Sequence, residues 1–337
     1  MTDSEKILVV GPAWVGDMVM AQSLFKLLRR NDPGATIDVV APAWSEPLLA
    51  RMPEVRRTVL MPVGHGELGL WPRLQIGRAI RAERYDRAIV LPRSLKSAFV
   101  PFFARVPKRT GFRGEMRYGL LNDVRTLDRD TLDQTVKRFL VLGQPPGLPL
   151  PEPPVPNLDV DSANLAELRL RLDLPEAVPA VALMPGAAYG PAKCWPLEYF
   201  AELARAIVHA GAAVWVLGAQ RERDDGDRIC SAAGQDAHNL CGRTRLEDAV
   251  DLLSAARVAV TNDSGLMHVA AAAGTQVVAI YGSTSPQFTP PLTKRASVTY
   301  LDLDCSPCFE RICPLDHLNC LRQITPAQIT DTVMQFL

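Results

Sequence analysis

The turn Asp263-Ser264-Gly265 follows a short apolar run, Val258–Thr261, and opens a stretch of helical spacing from Leu266 to Ala273 that Gly274 ends. A helix start offers unpaired backbone N–H groups and the positive end of the helix dipole, and the Ser264 hydroxyl adds a donor. A diphosphate fits there without arginine. Asp and Ser also favour ordinary N-caps, so the turn alone reads either as a cap or as a phosphate cradle. A second loop, Met184 to Pro196, leaves the run Ala180–Met184, carries Gly186 and Gly190, and sets Lys193 just before a helix. Lys193 can neutralise a phosphate leaving group or simply be a solvated loop lysine. Glu222, near the next strand end at Leu217-Gly218-Ala219, is either an acceptor for ribose hydroxyls or a solvated first-turn glutamate. His268 falls one helical turn after Ser264 and can face a ligand or be structural.

In the N-terminal half, Gly11-Pro-Ala-Trp-Val-Gly-Asp17 lies between the first apolar run and the first helix. A carboxylate there can act as a general base, deprotonating a hydroxyl as it attacks an anomeric carbon. Asp17 can also merely complement a helix dipole. Gly64-His-Gly66-Glu-Leu-Gly69 matches G-x-G-x-x-G, and Asp86 falls about twenty residues on. The match is rejected, because Asp86 precedes the strand Ala88–Leu91 rather than ending it, and Pro62 with Pro72 reads the segment as a mobile acceptor loop. Lys108, Arg109, Arg113, Arg117 and Arg125 crowd one stretch, with Arg93 and Lys96 after another strand. Such a set suits several phosphates or carboxylates, or forms a solvated face. Cys305, Cys308, Cys313 and Cys320, with His317 among them, supply enough thiols for a metal, but their spacing fits no standard zinc or iron–sulfur site. Plain or redox-sensitive thiols, away from the strand-end loops, are the expectation, and no metal ligands are assigned.

These residues need elements to hold them. Residues 7–10, 37–40, 88–91, 180–184, 213–217, 258–261 and 277–281 read as strands, and 18–28, 74–82, 196–210, 246–255 and 266–273 as helices. The alternation implies parallel βαβ units. Between Gln144 and Pro156, seven of thirteen residues are proline, a composition for an extended linker. The expectation is two doubly wound, Rossmann-like domains, 1–150 and 151–324, facing a central cleft, with a C-terminal helix at 325–337 begun by the cap Thr325 and Pro326. Residues 1–150 hold 23 Lys and Arg against 15 Asp and Glu, while the remainder reverses the surplus. A basic half can attract an anionic substrate or a membrane surface. Nucleic acid is disfavoured by the lack of any basic helix interleaved with aromatics. No run is long enough to span a bilayer, Met1–Lys6 is unlike a signal peptide, and seven cysteines in such a chain read as reduced thiols of a cytoplasmic protein.

The segments Gly11–Met18, Met61–Gly66, Arg113–Asp123, Pro185–Ala187, Gly190–Lys193 and Thr261–His268 together resemble the lipopolysaccharide heptosyltransferase II family over nearly the whole chain. That resemblance implies an inverting GT-B glycosyltransferase. It implies ADP-L-glycero-β-D-manno-heptose as donor and, as acceptor, the first inner-core heptose on Kdo and lipid A, with peripheral contact at the cytoplasmic face of the inner membrane. By it Asp17 is the base, Lys193 and the Ser264–Leu266 helix start (with Gly265) hold the diphosphate, and Glu222 binds ribose. Asp263 and His268 lie close to the donor, and Arg93, Lys96, Arg113 and Arg117 gain an anionic acceptor to bind. The family needs no divalent metal and no cofactor for transfer. Its cysteine-rich tail varies among members. Transfer of the first or third heptose, or sugar-nucleotide epimerisation on the same architecture, are the rival readings.

Overall fold

The apolar runs at Ile7–Val10, Val39–Ala41 and Ala88–Val90 are buried throughout, as strands covered on both faces of a parallel sheet must be. The computed structural model describes residues 4–64 and 66–337, so the readings of Met1–Lys6 and of Gly64-His-Gly66 fall partly outside the described residues. The chain forms two units, one ending at Pro156 and the other spanning Asn157–Leu337.

The first unit contains β1 (Lys6–Val10), β2 (Thr36–Ala41), β3 (Val55–Leu60), β4 (Arg87–Val90), β5 (Lys108–Phe112) and β6 (Asp123–Arg125) in the order β3-β2-β1-β4-β5-β6. All their pairings are parallel. Helix α1 (Val15–Asn31) follows β1, α2 (Leu70–Ala79) precedes β4, and α3 (Thr135–Gly143) packs on α1. The sequence reading places Pro72 in a loop, whereas it occupies the first turn of α2, where a missing N–H breaks no helical bond. Asp86 accepts the backbone N–H of Lys6 at 2.7 Å, a strand-start contact rather than a ribose site. The proline-rich stretch is also tied down: Ser23 on α1 donates to the Pro154 carbonyl at 2.6 Å and Lys26 to that of Val155 at 2.9 Å.

The second unit repeats the plan. Its strands are β7 (Ala180–Met184), β8 (Ala213–Val216), β9 (Ala237–Asn239), β10 (Val258–Asn262), β11 (Gln276–Ile280) and β12 (Ala296–Thr299), again all parallel, in the order β12-β11-β10-β7-β8-β9. The helices are α4 (Ser162–Leu172), α5 (Leu197–His209), α6 (Arg223–Ala233), α7 (Leu246–Ala255), α8 (Gly265–Ala272) and α9 (Pro326–Met334). Thr325 caps α9 by accepting the Gln328 N–H. Ile329 and Val333 of α9 are fully buried in the second unit's core with Phe200 and Leu203 of α5, each burial contributing about 1.5–3 kcal/mol. The terminal helix is thus part of the second unit.

In each sheet the chain starts in the middle, winds outward, and returns to the strand beside its starting point. The reversal falls between β1 and β4 in one unit and between β7 and β10 in the other. Ligands of open parallel sheets bind at the C-terminal strand ends beside such reversals.

Candidate active site

At the second unit's reversal, the loop after β7 and the turn after β10 are tied by one side chain. Asn262, buried at the end of β10, accepts the Trp195 N–H at 2.9 Å and donates to the Pro185 carbonyl at 2.6 Å. This brings Lys193, at the end of a 3-10 turn, to the start of α8, where its Nζ lies 2.6 Å from Asp263 Oδ2. The Asp263 carboxylate is 5% exposed, a position that an unpaired charge could not hold. Thr284, on the loop after β11, donates to the same oxygen at 2.6 Å, and the Thr289 hydroxyl lies 3.5 Å from the other. The Lys193 ammonium also sits 5.0 Å from the centroid of the Tyr189 ring. The lysine is therefore fixed in place by a buried carboxylate and an aromatic face.

Ser264 is the N-cap of α8, with extended backbone and no side-chain capping bond, its hydroxyl 3.3 Å from that of Thr261. Ser264, Gly265 and Leu266 are partly exposed. The first-turn N–H groups of a helix have no acceptor within it, so this end of α8 presents donors and a positive dipole end next to Lys193. Glu222 comes to the same strand ends: a Cβ built on Gly186 after β7 would lie 2.5 Å from its carboxyl carbon, and one on Gly218 after β8 would lie 2.9 Å from its Oε2. Its Oε2 accepts the Ala219 N–H at 2.5 Å and its Oε1 the Arg221 Nε–H at 3.1 Å. A carboxylate has about four lone-pair sites, so acceptor capacity is left over for hydroxyls. His268 departs from expectation. It is 4% exposed, with no face to offer a ligand, and burial pulls its pKa down to about 4 while Asp263 pulls up and Lys193 pulls down.

The cysteine segment is also placed differently from the sequence reading, which sets it away from the strand-end loops. Tyr189 donates to the Phe309 carbonyl at 2.5 Å, Ala192 donates to that of Arg311 at 3.1 Å, and the Arg311 guanidinium lies 5.2 Å from the Tyr189 ring. The segment thus backs the loop that carries Lys193. Its thiols are free. Burial and the neighbouring Cys305, Cys308 and Cys313 push the Cys320 thiol up to about 11. Among the described residues no group of three or more His, Cys, Asp or Glu is arranged to hold a metal ion.

In the first unit, Asp17 stands half-buried in the first turn of α1, directly after the β1 loop. Gly11 lets the loop pass close to the core: a Cβ there would meet the flexible end of Met18 at 2.7 Å and Val39 at 3.2 Å, so a larger residue would have to displace the Met18 side chain. After β4, on the other side of the reversal, Arg93 is exposed and Lys96 donates to the Glu67 carbonyl at 3.1 Å. Arg113 is exposed on the next loop. Arg117 corrects the expectation of an anion contact: it is 3% exposed, and its guanidinium donates to the carbonyls of Pro92 and Phe112, both at 2.7 Å, and to Ser97 Oγ at 3.0 Å. Burial, with Arg93 close by, pulls its pKa down to about 10. Arg109 is likewise used on the carbonyls of Val106 and Leu120, and Arg125 on Asp123. The basic stretch therefore divides into clamps that shape the loops and exposed cations that remain on them.

Two six-stranded parallel sheets of the same winding, each with a helix start at its reversal, make up the GT-B architecture. The family model for glycosyltransferase family 9 (heptosyltransferase) matches residues 73–319, and the chain belongs to that family. It is 47% identical over 306 residues to lipopolysaccharide heptosyltransferase 2 of Salmonella typhimurium, covering 88% of each chain. It is 44% identical over 307 residues to lipooligosaccharide heptosyltransferase 2 of Haemophilus influenzae, again covering 88% of each. The solved structure of Escherichia coli ADP-heptose lps heptosyltransferase II superposes with a TM-score of 0.86 at 42% identity over 98% of both chains. A family 9 glycosyltransferase from Veillonella parvula shares the fold at a TM-score of 0.83 and 19% identity, covering 100% of this chain and 97% of that one.

Asn262, Thr284, Thr289, Tyr189 and Arg311 escape the sequence reading. Asn262 lies inside the Thr-Asn-Asp-Ser-Gly segment and was recoverable as a polar residue ending a buried strand. The threonines belong to the strand-end loop next to the reversal, and only the strand order shows that this loop is adjacent.

Proposed function

We propose that the chain moves L-glycero-D-manno-heptose from ADP-heptose onto the first heptose of the lipopolysaccharide inner core, with inversion at the anomeric carbon. The observation that carries the reading is the pairing of Lys193 with the opening turn of α8 at the sheet reversal, in a chain that shares nearly half its residues with enzymes named for this transfer. The diphosphate sits on the N–H groups of Ser264, Gly265 and Leu266, with Lys193 countering the charge that develops on departing ADP. Asp263 acts by holding Lys193, and His268 by packing behind the turn as a neutral ring. Glu222 accepts from the ribose hydroxyls. Asp17 removes the proton from the acceptor hydroxyl as it attacks, and Arg93, Lys96 and Arg113 receive the anionic groups of a Kdo-lipid A acceptor. The first unit is the acceptor domain and the second the donor domain. Among the described residues no helix is long and apolar enough to cross a membrane, and a lipid-linked acceptor calls for peripheral contact at the cytoplasmic face of the inner membrane.

The test is ADP release from ADP-heptose with purified acceptors that carry no heptose or one heptose. Turnover is expected only with the one-heptose acceptor. Release with the heptose-free acceptor would reassign the chain to first-heptose transfer, and release with neither would overturn the reading.

A further inference from the structure

Where α2 begins, the first unit sets three large apolar side chains in solvent: Leu68 is 53% exposed, Leu70 47% and Trp71 63%. Two cations hold the turn that presents them, since buried Arg73 donates to the Leu68 carbonyl at 2.8 Å and Lys96 to that of Glu67 at 3.1 Å. The same flank continues onto the short helix Phe99–Phe103, which packs on α2. A Cβ built on Gly77 would lie 2.6 Å from Phe103 Cβ, and Arg81 donates to the Phe103 carbonyl at 2.9 Å. Phe99 and Phe102 both lie against Phe103, with ring centroids 5.8 and 5.6 Å from it, and Phe102 is 40% exposed. One exposed apolar residue needs no explanation, but a group of them on two packed elements marks an interaction surface. The charge around this group is one-sided. Residues 68–110 hold ten Lys and Arg against two Asp and Glu. Both acids are engaged, Glu83 with Arg56 and Arg57 and Asp86 with the Lys6 N–H. Arg78 on α2 and Arg105 after the short helix are exposed, and the Arg109 guanidinium lies 5.6 Å from the Phe102 ring centroid.

We propose that this flank docks on an anionic phospholipid surface, with Leu68, Trp71 and Phe102 at the depth of the headgroups and Arg78 and Arg105 on lipid phosphates. The proposal gives a surface to the peripheral contact read above and rests on that reading only for which membrane is bound. Aromatic and leucine side chains ringed by Lys and Arg suit the boundary between headgroups and acyl chains, where the apolar part is buried and the cations meet anionic lipid. A second copy of the chain fits poorly, because a two-fold contact would set the same cations against each other. The cations read as acceptor-binding adjoin the flank, since Lys96 holds its turn and Arg93 lies on the same loop. Docking there keeps the acceptor face beside the lipid layer in which a lipid-linked acceptor is anchored.

The test is co-sedimentation of the full chain with vesicles that contain no acceptor, made of phosphatidylcholine alone or of phosphatidylcholine and phosphatidylglycerol in equal parts. Binding to the phosphatidylglycerol vesicles is expected to be tighter by at least about tenfold. Brominated acyl chains should quench part of the tryptophan emission, and that quenching should vanish in Trp71→Phe. Arg78→Ser combined with Arg105→Ser is expected to weaken binding by about tenfold or more, as loss of two cations at an anionic surface would. The same loss of charge at Arg205 and Arg228, exposed on α5 and α6 of the second unit, should change it by less than about twofold. No binding, equal binding to both vesicles, quenching that persists in Trp71→Phe, or equal losses in the two charge variants would each overturn the proposal. Because these vesicles hold no acceptor, a failed transferase reading in the ADP-release assay leaves this result standing, and failure here leaves that assay unaffected.

Discussion

His268 has a pKa of about 4 in the fold, against 6.5 for the free side chain. Between those values the unfolded chain takes up a proton that the folded one refuses, so stability falls as pH drops from about 6.5 to about 4, by about 3 kcal/mol in total. Below that window both states are protonated and the loss stops. Urea unfolding at pH 7.5 and pH 5 should show the loss in the parent and a smaller one in His268→Gln. An unchanged difference would place the titration elsewhere. Asp38 in the first unit titrates the other way. Its carboxylate is fully buried, and although burial alone would raise its pKa, hydrogen bonds from Arg56, Tyr85 and Arg57 bring it below the ordinary value of 3.8. The stability it contributes is present above that ordinary value and is lost only as pH falls further through the folded pKa, so the two effects separate on the pH axis. Asp17→Asn is expected to keep ADP affinity within about twofold while turnover falls by at least about a hundredfold, the usual contribution of a general base. Calorimetric ADP binding and single-turnover rates distinguish this from a folding defect, and an active Asn variant would remove Asp17 from the role.

The loop that carries Lys193 depends on a close backbone approach. A Cβ at Gly190 would lie 2.5 Å from the Arg311 carbonyl oxygen, and backbone cannot move aside as a flexible side chain can. Gly190→Ala should therefore shift the loop and raise the donor KM about tenfold or more, because displacement of about 1 Å is already costly at a reacting site. The acceptor KM should stay within twofold, and equal changes in both would point to general damage. Arg117→Met should destabilise the first unit by about 2–4 kcal/mol, measured by urea unfolding, because carbonyls at Pro92 and Phe112 lose their donors. The central strands were legible in the sequence because parallel strands covered on both faces are continuous apolar runs. Edge strands were not: β3 and β9 are only partly buried, and their sequences, Val-Arg-Arg-Thr-Val-Leu and Ala-His-Asn, carry no such run. Lys193 and the Asp263 turn were legible because strand-end loops announce themselves. The burial of Arg117, the threonines on Asp263 and the docking of the cysteine segment behind Tyr189 were not, since each depends on pairings between residues far apart in the chain.

Across the whole molecule, much of the eight-charge surplus of residues 1–150 is not exposed for a ligand, because Arg109, Arg117 and Arg125 are used on carbonyls and on Asp123, and Arg56 and Arg57 on Asp38 and Glu83. Exposed charge is what salt screens: at 0.15 M the screening length is about 8 Å, while buried pairs feel far less. Raising the salt should therefore weaken acceptor binding through Arg93, Lys96 and Arg113 and leave the donor side nearly unchanged, since Lys193 is 13% exposed and already paired with Asp263. The acceptor KM is expected to rise several-fold between 50 and about 300 mM salt, with the donor KM constant within twofold. In the triple variant Arg93→Ala, Lys96→Ala, Arg113→Ala the acceptor KM should start high and lose most of its salt dependence. A donor KM that climbs with salt as steeply as the acceptor KM would mean that exposed charge also governs the nucleotide side, and the division of labour between the units would have to be redrawn.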